Sequence, residues 1–177
     1  MRRVNPKDRN HPPCKAFIFS LDENIRQPHN GLMPNRHIGK LPPRYWFYLN
    51  PYQGVRFTRC PKCDRPTQLR KFPLLIHVDP KQLLVLGKTC RYCSRCELII
   101  AHQDLLEQQL AVKFSEKAPE VVGNKYFVIG TMAKKTWEKA IKSTTTMEKA
   151  FEHAADFKRH VTFKPQHFGW VYNPPKK

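Results

Sequence analysis

The chain has 177 residues, 16 of them proline, with 32 Lys and Arg against 14 Asp and Glu, a formal charge of +18 and a pI near 9.9. That length supports one sizeable core with decoration and excludes a string of independent domains. The charge excludes the near-neutral balance of an ordinary soluble enzyme and favours a polyanionic partner: RNA or DNA first, then an anionic membrane surface or an acidic protein.

The basic excess is +8 over residues 1–59, +5 over 60–103 and +5 over 104–177, so no tail carries it alone. No segment approaches the ~18 apolar residues of a membrane span, and no signal-like apolar run follows the basic start. A soluble protein of the cytoplasm or another intracellular compartment is expected.

Residues 1–44 hold seven prolines among Arg, Asn and His. They read as a basic, Pro-rich arm in which only Cys14 to Leu21 resembles a strand. Tyr45-Trp-Phe-Tyr-Leu49 and Val55-Arg-Phe-Thr58 flank a Pro-Tyr-Gln-Gly turn and predict an aromatic hairpin. Those aromatics either stack on bases or form one strand with alternating faces.

Thr67 to Val78 and Leu83 to Tyr92 are strand-like around the turn signal Asp79-Pro80-Lys81-Gln82, and Leu98 to Ala101 reads as a short buried strand. Asp104 with Glu107 forms a capping-box pattern that predicts a helix through Phe114. A strand is expected at Tyr126 to Ile129, then helices over Thr131 to Lys142 and from Thr145, with Glu148 as its box partner, to about His160. Phe168 to Tyr172 reads as a returning edge strand.

Five of the six cysteines fall in Cys60-Pro-Lys-Cys63 and Cys90-Arg-Tyr-Cys93-Ser-Arg-Cys96. Outside the secretory route this double spacing points to a metal, because reduced thiols remain available as ligands. A metal knuckle is a tight turn with a small or polar residue after its second cysteine. Cys60-Pro-Lys-Cys63-Asp64 and Cys93-Ser-Arg-Cys96-Glu97 match each other in this respect, whereas Cys90-Arg-Tyr-Cys93 puts a bulky Tyr inside the turn. Cys60, Cys63, Cys93 and Cys96 are the expected ligands of a structural Zn²⁺, with Cys90 as the alternate and Cys14 a free thiol.

Two knuckles closed by a strand hairpin resemble the zinc-ribbon family over residues 56–101. The resemblance implies antiparallel strands around a structural zinc, in a family whose members include nucleic-acid-binding proteins. The expected fold class is α+β: a zinc ribbon, C-terminal helices packed on the sheet, and the N-terminal arm. The expected division is 1–44 arm, 45–103 aromatic hairpin and ribbon, and 104–177 helical region with short strands, packed with the ribbon as one domain.

Lys62, Arg65, Arg70, Lys71, Lys88, Arg91 and Arg95 surround the knuckles and are the candidate phosphate contacts, with only Asp64, Asp79 and Glu97 opposing them from 60 to 103. The favoured reading is a non-enzymatic protein that binds RNA or DNA mainly through phosphates. A zinc-stiffened protein-interaction adapter is the alternative.

The order Cys60-x-x-Cys63, His77, second cysteine group, His102 is also similar to the HNH nucleases. That resemblance would make His77 a general base and His102 a metal ligand. The chain departs from the pattern at Ile76, before the His, and in lacking both an Asn between the two histidines and the Gly-rich turn.

Overall fold

The structure is a computed structural model that describes residues 16–20, 37–140 and 146–164. Its strands are β1 (Ala16–Ser20), β2 (Trp46–Asn50), β3 (Gln68–Val78), β4 (Gln82–Cys93), β5 (Leu98–His102), β6 (Tyr126–Met132), β7 (Ala154–Asp156) and β8 (Arg159–His160). Its helices are α1 (Gln103–Ser115), α2 (Lys134–Ala140) and α3 (Met147–Glu152).

The most apolar stretch builds the centre. β3 and β4 pair antiparallel from Gln68 opposite Tyr92 to Val78 opposite Gln82. Phe72, Leu74, Ile76 and Val78 enter an inner cluster with Leu84 and Leu86, which α1 covers with Leu106, Leu110 and Phe114. The alternate residues Leu75, Leu83 and Val85 enter an outer cluster with Trp137 of α2 and Ala150 of α3. Burial on both faces explains why these strands read as continuous apolar runs instead of alternating ones. Gly87 leaves room for the indole, since a Cβ there would sit 2.5 Å from Trp137 Cζ2 and Cη2.

Seven strands form a curled mixed sheet in the order β7-β6-β3-β4-β5-β2-β8, and β1 pairs with β4 beside β5. The segment from Ala154 to His160 supplies both edge strands. β7 pairs with β6, β8 pairs parallel with β2, and Phe157 N–H donates to Ile129 O while Lys158 N–H donates to Tyr45 O. Phe157 lies stacked on Phe47 at 4.5 Å, so one short stretch ties the two edges of the sheet together.

This architecture corrects the expected α+β ribbon carrying C-terminal helices. The helix predicted to start at Thr131 begins at Lys134, because β6 continues to Met132. The helix predicted to reach His160 stops at Glu152, and the chain becomes β7 and β8. Helical spacing of Phe151 and Ala154 loses here to close packing. Gly130 and Gly39 leave no room for a Cβ against the Ala155 and Ala154 backbone, so small residues on both sides seat a strand.

The predicted aromatic hairpin is also absent. β2 runs parallel to β5, and the Val55–Thr58 stretch is broken by the left-handed Phe57 at φ 42°. Asn50 shapes the loop between them: its Nδ2 donates to Val55 O at 2.7 Å and its Oδ1 accepts from Tyr52 N–H at 3.0 Å. The capping box expected at Asp104 and Glu107 does not form. α1 starts after His102 and α3 after Thr146, each without a side-chain cap, and Glu107 instead accepts from Gln103 and the Tyr126 hydroxyl. Cys14, Thr145 and the expected strand at 168–172 lie outside the described residues.

Candidate metal centre

The two knuckles are built alike. In the first, Asp64 N–H donates to Cys60 O and Cys60 N–H to Arg65 O, both at 2.8 Å, and an Arg59–Pro66 bridge closes the loop. In the second, Cys93 ends β4 and Cys96 stands just before β5. The residue after the second cysteine is left-handed in both, Asp64 at φ 55° and Glu97 at φ 49°. A non-glycine held there costs about 1–3 kcal/mol, so the surrounding contacts must impose it.

The four Sγ atoms of Cys60, Cys63, Cys93 and Cys96 all lie within 4.8 Å of one another, and Cys63 and Cys93 are 3.6 Å apart. A tetrahedron with Zn–S bonds of ~2.3 Å has sulfur–sulfur edges of about 3.8 Å. The spacing suits a central ion and is far beyond the ~2.05 Å of a disulfide. All four thiols are free.

Electrostatics favour the same conclusion. The Arg65 amide lowers the Cys63 pKa. Burial raises Cys60 against amides from Lys62 and Cys63, and burial with the neighbouring sulfurs raises Cys96. Thiolates this close repel one another, and a divalent cation removes the repulsion. These four cysteines can hold a metal ion such as zinc, and sulfur fills every tetrahedral position.

Cys90 is not part of the cluster. It is 1 % exposed in the inner core, its thiol 3.7 Å from Lys88 O, with a pKa pushed up to about 12 by burial. Three residues from Cys93 on one strand, it points to the opposite face.

The seven candidate phosphate contacts do not form one patch. Lys62, Arg65 and Arg95 are exposed on the knuckle turns, with Lys62 Nζ 3.8 Å from the centre of the Trp46 ring. Arg70 and Lys71 are exposed at the start of β3, and Arg91 is half-buried. Lys88 is only 4 % exposed. It shares the parity of Leu86 and Cys90, which face inward. Tyr45, Phe47 and Tyr48 are core residues, which removes them as platforms for bases.

The two histidines are not brought together. His77 is half-buried near the hairpin turn, its Nδ1 3.7 Å from Asp79 Oδ1. Ile100 opposes Arg91, so the same register puts His102 level with Thr89 and Lys71, six residues along β3 from His77, or roughly 20 Å. His102 is buried, 3.0 Å from Asn50 Nδ2, and burial lowers its pKa. It joins the ends of β2 and β5. Asn50 is the residue that reading the sequence missed at this point, and its only signal was an Asn at the end of an aromatic strand.

No protein-family model, curated protein or solved structure matches the chain. What stands of the zinc-ribbon resemblance is therefore the four-cysteine cluster itself. Among the described residues no helix is long and apolar enough to cross a membrane.

Proposed function

We propose that this protein binds RNA or DNA largely through phosphate contacts, with a structural zinc on Cys60, Cys63, Cys93 and Cys96. The observation that carries this reading is the exposure of Lys62, Arg65 and Arg95 on the two turns that the four thiols draw together. The acids beside them are already engaged: Asp64 pairs with Arg59 at 2.8 Å and Glu97 with Lys158 at 2.5 Å. That leaves the tip cations available to phosphates. The zinc organises the turns and takes no part in chemistry, since a tetrathiolate site keeps no open position.

Anisotropy of labelled generic RNA and duplex DNA against the zinc-loaded protein, titrated with salt, tests the reading. Affinity should fall steeply, with a logarithmic slope of about −0.7 per phosphate contact for single strands and −0.9 for duplex. Absence of binding at low salt contradicts it. That result would favour the adapter reading, which has its own observation in a cleft of about 310 Å³ beside α1, lined by Leu110, Phe114, Val121 and Tyr126 with Val122 exposed at its rim.

A further inference from the structure

β3 outruns its neighbour. It pairs with β6 only from Leu74 to Val78, so among the described residues the stretch from Gln68 to Pro73 is paired on its β4 side alone. β6 pairs with β7 on its other side at Gly130 to Met132 and ends there. Beyond the end of β6 a groove of about 450 Å³ opens along the unpaired side of β3, with residues 41–45 and Lys158 forming part of its wall. Five cations line it, Arg44, Arg70, Lys71, Lys134 and Lys158, and no carboxylate does.

The two arginines are held ready. Tyr45, Phe72 and Tyr92 form an edge-to-face box with ring centres 5.4–5.8 Å apart. The Arg44 guanidinium lies 4.6 Å from the Tyr45 ring centre, and that of Arg70 lies 5.3 and 5.4 Å from Phe72 and Tyr92. A guanidinium resting on an aromatic face keeps its N–H edge free for a bidentate oxyanion. Lys158 and Lys134 already have acids, Glu97 and Glu138. Among the described residues Arg44, Arg70 and Lys71 have no carboxylate within ion-pair distance, and the acid that still feels Arg44, Glu97, is already held by Lys158.

We propose that this groove is a phosphate-binding site that seats the sugar–phosphate backbone of a single nucleic-acid strand. The inference rests on the nucleic-acid reading above and locates its main contact away from the knuckles. A groove of this volume takes one or two nucleotides, whereas a duplex can offer it only an outer phosphate. Arg44 and Arg70, directed by the rings beneath them, make the main contacts, and Lys71, with its Nζ 5.5 Å from the Trp137 ring centre, adds charge at the same groove.

The test is anisotropy of a fluorescein-labelled oligothymidylate with zinc-loaded protein at several salt concentrations. Arg44→Gln with Arg70→Gln should weaken binding at least tenfold and flatten the salt slope by about 1.4, two single-strand contacts' worth. Lys62→Ala with Arg95→Ala should do less. Thermal unfolding and zinc content check that the variants fold, and Lys71→Met, which keeps an unbranched side chain and removes the ammonium beside Trp137, gives a milder variant expected to flatten the slope by about 0.7.

Ultraviolet crosslinking of the unaltered protein needs no variant and should mark peptides spanning 41–45 or 70–73. An unchanged slope in the groove variants, with loss in the knuckle variants or crosslinks only there, overturns the groove while leaving nucleic-acid binding in place. Tighter binding of duplex than of single strand overturns the choice of ligand. No binding by the unaltered chain at low salt overturns the parent reading as well.

Discussion

The two ends of the β3–β4 hairpin are held by different physics. Toward the turn, Leu74, Leu75, Ile76 and Val78 are buried, and both faces of the hairpin meet apolar clusters. Toward the open end, Gln68 to Lys71 are all exposed, Leu69 included, and β3 buries no side chain there until Phe72. Four thiols stand in a small cluster there, where among the described residues Tyr48, Leu98 and Ile100 are buried and Trp46, Phe57, Val161 and Phe163 are partly buried around them. An end whose four thiols can hold a metal can leave its strand polar and charged. The same exposed stretch supplies Arg70 and Lys71 to the groove, so the economy in apolar residues at this end is also what makes its surface basic.

Several changes would break or sharpen that contrast. The largest effect is expected from removing the metal by chelation or Cys63→Ser, which should cost several kcal/mol because ion binding is folding free energy at such a site. Hydrogen exchange should then rise across residues 58–68 and 93–98 while 74–78 and 83–86 stay protected. Loss of protection along the whole hairpin would show that the ends are one cooperative unit. Ile76→Ala, at the apolar end, should cost about 2–5 kcal/mol in denaturant unfolding and leave zinc content unchanged.

Gly87→Ala should cost about 1–3 kcal/mol, since its Cβ would press on the Trp137 ring, and Trp137→Ala introduced with it should remove most of that clash. The smallest effect belongs to Glu97→Gln. The Lys158 ammonium holds the Glu97 carboxyl below its ordinary pKa, so any contribution exists above that ordinary pKa and fades as pH falls through the depressed one. The pair is well exposed, and solvent screening keeps the effect within about 1 kcal/mol in urea unfolding at neutral pH.

What the sequence made legible was local. The hairpin followed from two apolar runs around Asp79-Pro80, and the clustering of Cys60, Cys63, Cys93 and Cys96 followed from matching Cys63-Asp64 to Cys96-Glu97, whose left-handed turns explain the match. The rest depends on residues that meet only after folding. β7 exists because Ala154 and Ala155 find Gly39 and Gly130, and helical spacing gives no warning of that. β2 looked like half of a hairpin because its turn residues are adjacent, yet its partners β5 and β8 lie some fifty and over a hundred residues away. Arg44, Lys134 and Lys158 were invisible as a site for the same reason, since each is an ordinary surface cation until the sheet curls.

The account stands on the metal, and the most direct test is elemental analysis of the purified protein with its cysteine variants. One zinc per chain is predicted, retained in Cys90→Ser and lost or greatly weakened in Cys60→Ser, Cys63→Ser, Cys93→Ser and Cys96→Ser. A protein that carries no metal and takes up none when given zinc, or one that keeps its zinc in Cys96→Ser and loses it in Cys90→Ser, would contradict the assignment.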